Sequence, residues 1–142
     1  MSKSTIYLSG PLRHCSSVEA LGWRSEAKLL LGAHNCVDPA DRWWVADESL
    51  LTPSQDRELV EGDLADLRRC KGMICNPWKP SFGTPQEMVY AMQDRILVAT
   101  VATKDSSSWV RYHSDFLAGS VAEACRWLAV QLRIEDAPVI IG

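Results

Sequence analysis

Ile6-Tyr7-Leu8-Ser9-Gly10-Pro11 is the stretch from which the fold is read. An apolar run that stops at Ser-Gly-Pro has the form of a short buried strand entering a tight turn. Beyond the turn, Ser16-x-x-Glu19 has the spacing of a capping box, and Ala20, Trp23, Ala27, Leu30 and Leu31 recur at helical spacing as far as Gly32. A strand, a turn and a helix in that order make half of a parallel crossover. The unit is therefore expected to repeat.

The repeat is legible downstream. Asn35 to Asp38 predicts a weak second strand, and the loop from Pro39 to Leu51, which carries Trp43 and Trp44, is long enough to read as a lid. Thr52-Pro53-Ser54-Gln55 opens a helix that runs to about Cys70, with Leu59, Val60, Leu64 and Leu67 as its apolar stripe. Gly72 to Asn76 predicts the third strand, Gly83 to Gln93 a helix and Arg95 to Val101 the fourth strand. Trp109 to Phe116 reads as a mixture of strand and turn, and Ser120-x-x-Glu123 opens a last helix. Ile134 to Gly142 reads as an edge strand or a frayed tail. This alternation predicts an α/β fold: one Rossmann-like (flavodoxin-like) three-layer sandwich over residues 1–142, with a mostly parallel central sheet of about five strands. The ligand crevice is expected outside the carboxyl ends of those strands.

Composition narrows the partners. The chain has 142 residues, 46% hydrophobic and 23% charged, with a net charge of -3, which suits one ordinary globular domain. No cluster of Lys and Arg provides a footprint for a nucleic-acid polymer, so a nucleotide ligand is expected to be a small molecule. No apolar run approaches the ~20 residues of a membrane span. Five scattered cysteines predict reduced thiols and a cytoplasmic location, and no spacing of His and Cys predicts a metal. No cofactor is called for either.

Two carboxylates concentrate the chemistry. Thr84-Pro85-Gln86-Glu87 has capping-box spacing, so Glu87 either caps its own helix or, ionised in the first turn by the helix dipole, serves as a nucleophile. Gly83 lets a ligand approach the backbone closely. Projected at ~100° per residue, Asp63 falls inside the apolar stripe of its helix. It either accepts hydrogen bonds from an arginine such as Arg24 or Arg42, or works with Glu87, because carboxylate pairs suit glycosidic cleavage. Tyr7, at a strand end, is a packed aromatic or an orienting hydroxyl. Ser9, Gly10 and Arg13 line the same turn, where an anion such as phosphate can be held. Trp43, Trp44 and Trp78 read as packing or as aromatic faces for a nucleobase. His113 is too isolated for a role to be read from spacing.

Taken together, these residues resemble the nucleoside 2-deoxyribosyltransferase-like superfamily. The likeness rests on Ile6-Tyr7-Leu8-Ser9-Gly10-Pro11, on Asp63, on Gly83-Thr84-x-x-Glu87 followed by Tyr90-Ala91, and on Trp109-Val110-x-x-His113 with the final Glu123-Ala124 helix. The resemblance implies an enzyme acting on the N-glycosidic bond of nucleosides or nucleotides. Glu87 would attack the anomeric carbon, Tyr7 would orient it, and Asp63 would serve the leaving base. It also implies a homo-oligomer in which a neighbouring subunit supplies part of the site, with the Ser106 to His113 segment contributing in trans. Members that exchange bases on free deoxyribose carry an aspartate where this chain has Ser81. A Ser hydroxyl can donate to a 5′-phosphate that an Asp would repel, so Ser81 with Arg13 resembles the branch that hydrolyses nucleoside 5′-monophosphates. The resemblance thus implies a nucleotide N-glycosidase, with base exchange and non-catalytic nucleotide sensing as its competitors.

Overall fold

The computed structural model of the chain describes residues 5–42 and 48–134. Among these residues five strands form one sheet: β1 (Ile6–Ser9), β2 (Cys36–Val37), β3 (Gly72–Cys75), β4 (Leu97–Val101) and β5 (Phe116–Ala118). Every pairing is parallel and the spatial order is β2-β1-β3-β4-β5. That is the flavodoxin-like doubly wound order, and it leaves a topological switch between β1 and β3. The α/β sandwich expected from the sequence is present.

The helices follow from local chemistry. The first helix, α1 (Ser17–Leu31), starts at a complete capping box in which Ser16 and Glu19 each satisfy the other's backbone N–H. A short turn, α2 (Pro39–Arg42), interrupts the expected lid loop. Next, α3 (Pro53–Arg68) starts at a second box, Thr52 with Gln55, and has Pro in its first turn. After β3 comes α4 (Gly83–Gln93), and α6 (Val121–Leu132) starts at Ser120, whose hydroxyl accepts from Glu123 N.

One segment departs from expectation. Ser108–Tyr112 forms α5, a single helical turn capped by Ser107, where the sequence reads as strand and turn. Its Trp109 and Tyr112 are exposed, so no buried stripe marks it as helical in advance. Trp43, Trp44 and the tail beyond Ile134 lie outside the described residues.

Two apolar layers sandwich the sheet, and the period of two along β1 assigns its side chains between them. Ile6 and Leu8 join Ala27, Leu31, Ala124 and Leu128 on the α1 and α6 side. Tyr7 packs with Leu67, Met73, Cys75 and Met88 on the α3 and α4 side. Ser9, two residues after Tyr7, shares that face. The alternation therefore sends both hydroxyls of β1 toward the helices that carry Asp63 and Glu87.

Candidate active site

Glu87 occupies the second turn of α4, because that helix begins at Gly83 with Phe82 as an N-cap that supplies no side chain. Capping is not its role. Tyr7 Oη donates to Glu87 Oε2, and Ser9 Oγ donates to Glu87 Oε1 at 2.7 Å. The carboxylate is thus held by two hydroxyls from a strand about 80 positions away, at the switch between β1 and β3. Being past the first turn, it gains little from the helix dipole, contrary to the sequence expectation.

Burial sets its ionisation. Removal from water pushes the Glu87 carboxyl up to about 7, against the opposing pull of the hydrogen bonds from Tyr7 and Ser9. Burial also drives the Tyr7 phenol far above its ordinary range, with the Glu87 and Asp63 charges adding to the effect. Tyr7 consequently stays a neutral donor. A carboxylate fixed from both oxygens and poised near neutrality has the attributes of a nucleophile or a proton acceptor.

Asp63 reaches the same crevice from α3, near enough for its charge to raise both Tyr7 and Glu87. Its carboxyl is itself raised, burial outweighing the nearby Arg42 guanidinium. Arg42 Nη2 lies 2.6 Å from Asp63 Oδ1 and 3.0 Å from Asp66 Oδ2. Of the two arginines considered from sequence, Arg42 is the partner. Arg24 is instead fully buried against Asp38.

Gly62 explains how Arg42 gets there. A Cβ on Gly62 would collide with Arg42 Nη1, so a glycine in mid-helix opens the slot through which the guanidinium crosses α3. Ala there normally adds roughly 0.5–1 kcal/mol of helix stability. In Gly62→Ala we expect the flexible arginine to be displaced from Asp63, so that the midpoint of Asp63 in a carbon-13 carboxyl NMR titration rises further. A midpoint equal to that of the parent would mean that the slot is not needed.

The remaining residues expected at the site divide. Gly10 follows Ser9 and accepts Trp23 so closely that a Cβ would lie 2.7 Å from the indole. Ser81, in the loop before α4, has a buried Oγ with no hydrogen-bond partner among the described residues. Gly83 faces open space, since a Cβ would meet nothing within 4 Å. Arg13 is exposed on the loop after β1 and has no ion-pair partner among the described residues. Trp43 lies outside the described residues.

His113 is not brought to Glu87 within the chain. The α5 crossover carries it back to the amino end of the sheet, where Asp115 N bonds Val98 O. There its Nδ1 lies 2.7 Å from Trp109 O, and it lines a separate groove with Arg95, Ile96 and Tyr112. A strand at Trp109 would have hidden this return. Among the described residues no cluster of His, Cys, Asp and Glu is arranged to hold a metal, and no helix is long and apolar enough to cross a membrane. All five cysteines are free.

No family model matches the chain, and no curated protein matches its sequence. Among solved structures it is similar to a conserved protein from Enterococcus faecalis V583, at 12% identity and a TM-score of 0.55, over 94% of this chain and 97% of that one. At that identity the likeness is one of fold. The shared fold is the doubly wound, all-parallel α/β sandwich described above. A 2-deoxyribosyltransferase from Leishmania mexicana is also similar in structure, at 19% identity and a TM-score of 0.49, over 82% of this chain and 76% of that one. In this fold the β1 hydroxyls and the α4 carboxylate meet at the switch point, where doubly wound sheets bind their ligands. Ser9 exceeds its sequence expectation: it grips Glu87 directly instead of only lining the crevice.

Proposed function

We propose that the protein breaks the N-glycosidic bond of a nucleoside or nucleotide by covalent attack of Glu87 on the anomeric carbon. The observation that carries this reading is the Tyr7, Ser9 and Glu87 constellation, with Asp63 beside it. Glu87, ionised, forms an ester to the anomeric carbon as the bond to the base nitrogen breaks. Asp63, raised by burial, supplies the proton that the departing base requires. In the second step water or another base attacks the same carbon, gives its proton to Asp63 to restore the acid, and the ester bond returns its electron pair to Glu87. The Tyr7 and Ser9 hydroxyls hold the carboxylate for attack and, when the ester breaks, stabilise the anion that re-forms.

Beside Asp63 lies a cavity of about 370 Å3 lined by Arg42, Glu58, Leu59 and Asp63, which suits a planar base leaving toward that aspartate. For the sugar we favour a (deoxy)nucleoside 5′-monophosphate. Among the described residues Ser81 Oγ is buried without a hydrogen-bond partner, and the exposed Arg13, near Ser9 and Gly10 in sequence, has no ion-pair partner, so both can serve the phosphate. Gly83 would leave room for the backbone to meet the substrate. No metal or cofactor enters the scheme. Exposed Phe82, Trp109 and Tyr112 support the further proposal that the protein works as a homo-oligomer.

A panel of nucleosides and their 5′-monophosphates, incubated with and without a second base and resolved chromatographically, tests the reading. Free base with deoxyribose 5-phosphate identifies hydrolysis; a new nucleoside formed only with the second base identifies transfer. We expect Ser81→Asp to shift the ratio of kcat/KM for monophosphate over nucleoside downward by about tenfold or more, since it sets a carboxylate against the phosphate. An unchanged ratio would remove Ser81 from phosphate binding. Ligand-induced stabilisation without any product would identify a nucleotide sensor instead.

A further inference from the structure

Arg24 is the charged residue on the buried stripe of α1, in line with Ala20, Ala27 and Leu31, and only 1% of it is exposed. Nε donates to Ala20 O at 3.0 Å, Nη1 to Leu8 O and Asp38 Oδ1, each at 2.7 Å, and Nη2 to Gly10 O at 2.8 Å. Asp38 is held from its other oxygen by Lys28 Nζ at 3.0 Å.

The carbonyls chosen are informative. Ser9 O points toward β3 and accepts from Asn76 N at 2.9 Å, so Leu8 O and Gly10 O point the opposite way, toward β2. But β2 pairs only with Ile6 and Tyr7 and then stops, because Pro39 has no N–H to donate and opens α2. Two carbonyls at the exit of β1 are left without a strand. The Arg24 fork takes the place of that missing strand and adds a fixed positive charge next to Ser9.

Resting on the glycosidic reading of Glu87, we infer that Arg24 is a positioning residue for the nucleophile: it completes the β1 ladder so that Tyr7 and Ser9 face Glu87, and it sets a buried cation behind them. The groups facing Glu87 are Tyr7 and Ser9 from β1, Cys75 from β3, Asp63 from α3 and Arg24 behind β1. Asp63 opposes ionisation of Glu87 and Arg24 favours it. Among these groups Arg24 is the cation.

Breaking the pair by one substitution leaves a buried charge, so the informative variant removes both members: Arg24→Met with Asp38→Leu. Arg24→Lys is its companion, retaining a charge without the fork. Glu87 is followed by carbon-13 carboxyl NMR, its resonance assigned with Glu87→Gln, and the acid limb of kcat/KM is followed on the nucleotide panel. In the double variant we expect the Glu87 midpoint and the acid limb to rise together by about one unit, so that kcat/KM falls roughly ninefold at about pH 6 but only about twofold at about pH 8. Arg24→Lys should leave the midpoint near that of the parent while lowering kcat. A folded double variant with an unmoved Glu87 midpoint overturns the inference, as does Arg24→Lys matching the parent in both readouts. Should no nucleotide be turned over, the glycosidic reading fails, and the Glu87 titration still decides the effect of Arg24.

Discussion

Glu87→Gln should lower turnover by roughly 10⁴-fold or more while leaving a folded protein, because the amide keeps the shape but cannot form the glycosyl ester. Stability should move in the opposite direction, and its pH dependence is the sharper signature. The Glu87 carboxyl is raised from the ordinary carboxylate range to about 7 by burial. A raised carboxyl favours the fold while protonated in the native state, and that advantage fades as pH rises through about 7, where the buried group must ionise. The variant has no such transition. Around pH 5 the two proteins should melt alike; around pH 8 the Gln variant should be the more stable by on the order of 2 kcal/mol, read by thermal or urea unfolding. A variant that loses stability at every pH, with near-normal turnover, would make Glu87 a structural group.

The second large effect concerns Asp63. Asp63→Asn should cost about 10²- to 10⁴-fold on ordinary substrates, because an amide cannot pass a proton to the departing base. A nucleotide whose purine is methylated at N7 needs no such proton, since its base leaves uncharged. On that substrate the variant should recover most of the parent rate. Equal losses on both substrates would show that Asp63 acts by packing or by holding Arg42, not through its proton. The structure makes the distinction necessary, because Asp63 also forms the 2.6 Å ion pair with Arg42.

The legible parts of the fold were those governed by short-range rules. The boxes at Ser16 and Thr52 close as their spacing implies, since a hydroxyl and a carboxylate or amide three residues on satisfy each other's backbone wherever the helix lies. The same rule misleads at Thr84 to Glu87. There the local spacing is met, yet the carboxylate goes to Tyr7 and Ser9, a contact across about 80 positions that no local rule contains. The α5 turn was hidden for another reason: five residues with exposed aromatics carry no burial pattern. His113 shows the consequence, because its side of the sheet depends on that crossover.

Arg24 was visible in principle. It stands at i+4 from Ala20 and i−3 from Ala27, inside the apolar stripe of a helix, just as Asp63 stands inside its own. What the sequence does not reveal is that β2 would end after two residues and leave carbonyls for it to bond. Long-range ladders, unlike caps, are settled only once the strands are assembled. Asp63 was legible for the reason that Arg24 was: a polar group on an otherwise buried face needs a chemical purpose.

The central claim is that Glu87 becomes covalently bound to the sugar. The direct measurement is mass spectrometry of protein quenched during turnover of 2′-deoxy-2′-fluoronucleoside 5′-monophosphates, whose fluorine slows breakdown of a glycosyl ester. The account predicts an intact mass raised by one sugar phosphate, with the added mass mapped to the peptide at Glu87 and absent in Glu87→Gln. Steady release of base with no adduct, or an adduct on another residue, would contradict it.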